Sequence, residues 1–418
     1  MRYSLPCLMV GVCLLLAMPA LGEDWPQWRG PNRDDVSQEK GLLQEWPEGG
    51  PQRLWLSSDA GLGYSGFSVV GDTLYTMGAR GEEEFLIAVN ASNGTEKWSI
   101  PVGLLYKESH GNGPRGTPTV DGDRVYALSG NGTLACAKGA DGSIVWKVEM
   151  AALGGRRPNW GYCESPLVDG EKVVCTPGGE QGAVVALNKM NGELIWQSKD
   201  FTAGAQYSSI IIAEHNGRRQ YVALTQKKFA GIDAASGDVL WASDWHGQTA
   251  VVSTPIFHDG HVYISSGYGS GGSKLVELEA DGSATDVYDN KVMVNHHGGV
   301  VRIGDHLYGY SDGKGWVCQD FKSGEMVWNE RAKLGKGCLT YADGRLYLMD
   351  ERGGNVALIE ASPNGYHEHG RFTLDPQSRQ RTGGRVWTHP VVANGKLFLR
   401  DQELLFCFDI RRELTGGR

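Results

Sequence analysis

The chain has 418 residues, 49 acidic against 40 basic side chains, a net charge of −9 at neutral pH, 60 glycines and 13 tryptophans. A mildly acidic surface repels nucleic-acid phosphates and anionic lipid, which excludes binders of those two classes. Glycine this abundant is explained by tight turns between many short strands, and the length is compatible with one large β fold.

In chain order, the first element is a secretory signal. Arg2 gives a positive start, residues 8–16 are an apolar run, and Ala20 and Gly22 present small residues before a cleavage point ahead of Glu23. The apolar run is too short to span a bilayer. Val12 precedes Cys13 where a lipoprotein would need a small residue. An exported protein is expected, periplasmic or extracellular, with no transmembrane span. Removing residues 1–22 takes away one Arg and no acid, so the net charge goes from −9 to −10. Six cysteines remain after Cys7 and Cys13, and their spacing shows no dense disulfide framework. Free buried thiols are favoured, with Cys163–Cys175 and Cys318–Cys338 the pairs to test first.

Residues 23–52 read as an arm rich in Trp, Pro and Gly, expected to pack over the outside of the fold. Arg53-Leu54-Trp55-Leu56 then forms a strand without a repeat of its own. From there the chain repeats itself. Asn93-Gly94-Thr95-Glu96-Lys97-Trp98 ends one unit, and the same Gly-x-x-x-Trp spacing recurs at Gly142/Trp146, Gly192/Trp196, Gly237/Trp241 and Gly324/Trp328. Degenerate copies lead from Gly282 to Tyr288 and from Gly365 to Phe372. The interval is about 46 residues, a period that belongs to propellers when no amphipathic helix is present.

Within each unit, segments such as Thr117-Pro118-Thr119-Val120 lead to turns such as Asp121-Gly122-Asp123, which supply the left-handed residues of tight hairpins. Four short antiparallel strands per unit make one blade. Eight blades start near Ser65, Thr117, Glu164, Ser208, Ser253, Gly298, Gly337 and Thr388. The eighth stops near Phe408 without a fourth strand, so Trp55 is predicted to supply it and close the ring. This gives an all-β, eight-bladed propeller over residues 53–412, with residues 413–418 as a tail.

Copies such as Ile232-Asp233-Ala234-Ala235-Ser236-Gly237-Asp238-Val239-Leu240-Trp241 resemble the quinoprotein dehydrogenase superfamily. With the start Asp24-Trp25-Pro26-Gln27-Trp28-Arg29-Gly30-Pro31, the chain resembles exported bacterial proteins of PQQ-binding-like β-propeller repeats. The resemblance covers nearly the whole mature chain and is specific for fold, since the motif holds blades together whether or not a quinone is bound. Its catalytic members imply pyrroloquinoline quinone and Ca²⁺ as cofactors of alcohol or sugar dehydrogenases, including polyvinyl-alcohol dehydrogenases. Its non-catalytic members include the lipoprotein propeller of the outer-membrane barrel-insertion machinery, which needs neither.

Links into the first strands and the second-to-third strand loops share one face, at the mouth of the channel, where ligands are expected. Arg115, Trp160, Tyr207, His297, Lys336, Arg352, Trp387 and His389 are the candidate cofactor-binding residues there. Trp160 or Trp387 would stack on a planar ring, and Arg115 and Lys336 would pair with carboxylates. Glu164 and His110 are the candidate catalytic bases, and Glu164 with Asn159 the candidate calcium ligands. His258/His261 and His367/His369 read as solvated, having no third ligand nearby. The chain departs from the dehydrogenases in having no adjacent Cys-Cys pair and no Cys-x-x-Cys-His haem motif. The favoured function is therefore a binding scaffold for a small ligand or an exported or envelope protein, with a quinone-dependent dehydrogenase using an external electron acceptor as the alternative.

Overall fold

The computed structural model describes residues 23–381 and 383–412; the signal segment and the C-terminal tail lie outside the described residues. Eight sheets follow one another around a central axis, each built on an antiparallel meander that runs in chain order from the axis outward, with N-terminal strands added to the seventh and the eighth. Blades one to seven span residues 68–104, 119–149, 167–197, 211–244, 256–290, 300–330 and 337–373. Blade eight has three strands of its own in residues 391–409, and its outer strand is Arg53–Ser57, where Trp55 pairs with Cys407. The closure predicted from the unpaired eighth unit is the one observed, and it leaves no blade short of a strand.

The Gly-x-x-x-Trp spacing has a direct packing cause. Apart from Trp241 and Trp328, each aromatic ring lies against the glycine of the following blade, at a place where a Cβ would collide. Trp98 covers Gly142, Trp146 covers Gly192, Trp196 covers Gly237, and Tyr288 covers Gly324. The indole N–H groups finish the contact by donating to a backbone carbonyl of that next blade, Trp98 to Gly139, Trp146 to Lys189 and Trp328 to Ser362. The series runs through the closure: Phe372 of blade seven covers Gly50, and Trp55 covers Gly94. Gly50 and Trp55 are thus the eighth blade's copy of the motif, with one extra residue between them. Trp241 departs from the pattern and bonds to Gln220 of its own blade, 2.6 Å away. Blade five carries the degenerate Gly282, and nothing lies within contact distance of it.

The arm does not lie wholly outside the propeller, and here the sequence reading is corrected. Residues 42–50 do pack against blades seven and eight, with Trp46 against Tyr347 and Phe372. Residues 25–37 instead enter the central channel from the face opposite the links. Trp25 exchanges backbone hydrogen bonds with Val69, and Pro26 accepts from Val120 N–H. The arm then reverses, and Val36–Ser37 returns as a strand parallel to Gly337–Ala342, the innermost strand of blade seven. The channel draws it in because its inner strands leave polar backbone to satisfy. Buried Arg33 donates to the carbonyls of Ser165 and Pro166, and buried Arg29 to that of Val300.

Among the described residues all six cysteines are free, and five of them are buried. No described helix is long and apolar enough to cross a membrane.

Candidate functional site

A cavity of about 210 Å³ opens at the centre of the face that carries the links. Tyr64 precedes blade one, and Glu108, His110 and Arg115 lie between blades one and two. Trp160 and Cys163 come from the next link, Tyr207 and Ser209 from the one after, and His297, Trp387 and His389 from later ones. Tyr268 comes from the second-to-third strand loop of blade five. Trp28 closes the cavity from the channel side: its indole donates to Thr254 Oγ1 at 3.0 Å, and its ring lies 4.6 Å from that of His389.

Each cation of the wall already has a carboxylate. Arg115 Nη2 lies 2.7 Å from Glu108 Oε1, and its guanidinium sits over the rings of Tyr64 and Tyr106. His110 Nδ1 lies 3.1 Å from Glu108 Oε2. His297 Nε2 lies 2.8 Å from Glu351, which also accepts from the Trp387 indole at 3.0 Å. Burial alone would raise the Glu351 carboxyl, but the hydrogen bonds from His297 and Trp387 and the charge on His297 win and hold it at about 2. His389 is fully enclosed, with Nδ1 3.0 Å from Asp35 and Nε2 2.9 Å from the His297 carbonyl. Burial alone would lower it, yet the Cys338 sulfur and the Asp35 carboxylate raise it to about 10. The geometry agrees, because both ring nitrogens face acceptors and only the doubly protonated ring satisfies both.

Among the residues lining the cavity no nucleophile is activated. Burial would raise the Cys338 thiol, yet His389 and His297 hold it at about 7; it is fully enclosed and does not line the cavity. Burial pushes the Cys163 thiol up to about 12, so it stays neutral. Ser109 Oγ and Glu108 both reach the same nitrogen of His110, Nδ1, whereas a hydrolytic triad needs them on opposite nitrogens.

Of the residues nominated from sequence, His110, Arg115, Trp160, Tyr207, His297, Trp387 and His389 are brought together on this wall. Lys336 and Arg352 line a neighbouring cleft between blades six and seven, where Lys336 pairs with Asp312 at 2.7 Å. Glu164 is buried behind the wall, accepts the Thr176 N–H and faces Arg33, and burial raises it to about 7. Asn159 is exposed on its loop, so the two nominated calcium ligands do not converge. Sequence reasoning missed Trp28, Tyr64, Glu108 and Tyr268; only the density of Trp and Arg in residues 25–33 pointed to the first.

These residues do not fit a calcium-bound quinone. Calcium takes about six to eight oxygen ligands, and no cluster of three or more His, Cys, Asp or Glu suited to a metal exists among the described residues. A planar polycarboxylate would also find each cation of the wall engaged by a carboxylate.

A family model described as "Outer membrane protein assembly factor BamB" matches residues 47–152 and 82–330. The Salmonella typhimurium protein of that description is 26% identical over 336 residues, covering 74% of this chain and 76% of its own. BamB from Moraxella catarrhalis superposes with a TM-score of 0.58 at 14% identity, over 85% of this chain and 96% of its own. The quinohemoprotein alcohol dehydrogenase from Comamonas testosteroni gives 0.61 at 11% identity, over 94% and 82%. At such identities the two structural likenesses speak for the fold alone.

Proposed function

We propose that this chain, which belongs to the BamB-like PQQ-repeat β-propeller family, is an exported, non-catalytic binding propeller whose ligand seats in the central cavity. Export rests on the signal-like residues 1–22. The observation that carries the reading is the wall itself: aromatic faces from separate blades converge there and each cation has a carboxylate within reach, while Cys338, whose sulfur lies 3.7 Å from His297 Nδ1, is fully buried and does not line the cavity. Such a wall recognises without transforming. The relatives described as assembly factors favour a partner of the cell envelope, either a protein or a molecule displayed there.

The test titrates purified protein with pyrroloquinoline quinone and Ca²⁺, following indole fluorescence and dye reduction with alcohols or aldoses. Neither saturation nor turnover is expected. In parallel, a photo-crosslinking residue replaces Trp160 in the living cell, with exposed Ile144 on the outer strand of blade two as control. Adducts should form at 160 and not at 144. One quinone per chain with dye reduction overturns the reading.

A further inference from the structure

The free hydrogen-bonding capacity of the cavity narrows what it takes. Tyr207 and Ser209 line it and are both more than nine-tenths buried. Each hydroxyl accepts a backbone N–H, from Trp160 at 3.3 Å and from Ser165 at 3.0 Å. Neither has an acceptor for its own hydrogen among the described residues. His110 Nε2 and the Tyr268 hydroxyl, at the more open side, have no partner there either, while His110 Nδ1 is occupied by Glu108. A hydrocarbon ligand would bury these groups unpaired, at the full desolvation cost.

Charge excludes the other extreme. Glu108, Glu351 and Asp35 already engage Arg115, His297 and His389, and Asp35 also pairs with buried Arg29 at 2.7 Å, so a charged ligand must break an existing pair or remain unmatched. What remains is a neutral molecule with hydroxyls around its edge and an apolar face for an aromatic ring. The volume admits one six-membered ring with its substituents, and Trp28 closes the channel side, so a chain attached to that ring must leave through the mouth and the ring sits at its end.

We infer that the cavity binds a neutral pyranose at the terminus of a glycan, its C–H face against Trp160 and its hydroxyls on Tyr207 and Ser209. An indole face carries the negative side of the ring quadrupole and attracts the weakly positive axial C–H bonds of a pyranose. This assignment rests on the binding-propeller reading and specifies its ligand.

The test is calorimetric titration of the full mature chain with methyl glycosides of glucose, galactose, mannose and xylose, the matching uronates, and a neutral-glycan array. One neutral glycoside should saturate at one per chain, with its uronate about tenfold weaker or worse. Tyr207→Phe removes one O–H donor together with the acceptor of the Trp160 N–H, and should weaken binding about fivefold with only a small fall in Tm. Trp160→Ala should weaken it about tenfold. No neutral hit on the array, or unchanged affinity in Tyr207→Phe, overturns the assignment. If library peptides bind instead and lose affinity in Trp160→Ala, the glycan assignment falls while the binding reading stands. Quinone turnover removes both.

Discussion

The contact between each aromatic and the next blade's glycine can be isolated by comparing two glycines of blade four. Gly237 has φ +82° and Gly217 has φ +74°, so an alanine at either must enter the left-handed region, at about 1–2 kcal/mol. Their surroundings differ. Nothing lies within 4 Å of a Cβ at Gly217, whereas at Gly237 it would stand 2.5 Å from Trp196 Cε3 and 2.8 Å from Cδ2. Trp196 is 8% exposed and its indole bonds to Ala234, so it has no room to retreat. Forcing that overlap costs about 1–3 kcal/mol more. Gly217→Ala should therefore lose about 1–2 kcal/mol and Gly237→Ala about 2–5, read from urea unfolding followed by far-UV circular dichroism. In a Trp196→Ala background the excess at Gly237 should shrink to about 0.5 kcal/mol or less. Equal costs at the two glycines, or an excess that survives loss of the indole, would refute the packing explanation of the motif.

Trp55→Ala removes a ring that covers Gly94 and bonds to the Ala91 carbonyl, and should cost about 3–5 kcal/mol; limited proteolysis should then cut within residues 50–60 before any other site. Glu351 is depressed in the folded chain, so its stabilisation is present above about pH 4.5 and lost as pH falls through about 2. The melting temperature of Glu351→Gln should accordingly fall less steeply than wild type between pH 4.5 and 2. Trp28→Ala, whose ring is only partly buried, should cost about 2 kcal/mol by calorimetry, near half the value of a buried aromatic.

Blade number, blade starts and the closing strand were legible because period and turn chemistry repeat, and because a unit ending at Phe408 needed one more strand. The path of the arm was not. Its turn is built on left-handed Arg29, Arg33 and Asp35, and the two arginines carry no sequence signature for that conformation. The bonds of Arg33 and Arg29 to the inner strands go to carbonyls 132 to 271 residues away, which no local pattern encodes. Seven of the nominated site residues converge because links into first strands share a face, a rule of topology. Glu164 satisfied the same rule, but its side chain turned inward to a backbone N–H, a choice made by packing. Lys336 went to a separate cleft because it pairs locally with Asp312 of blade six, and Arg352 is on the second-to-third strand loop of blade seven, where its backbone N–H bonds to Asp350, and lines the same cleft.

The closing strand also sets an order of events. Residues 53–57 leave the synthesis machinery early, yet their partner, Leu404–Asp409, is about 350 residues downstream. Until the last blade emerges, two sheet edges stay open and the channel has no complete wall to receive the arm. Closing such a loop is slow, and an unpaired edge in the interval invites association with other chains. Assembly in the order of synthesis therefore leaves the molecule most vulnerable just before completion. Anything that shields the Arg53–Ser57 edge should raise folding yield without altering the finished protein.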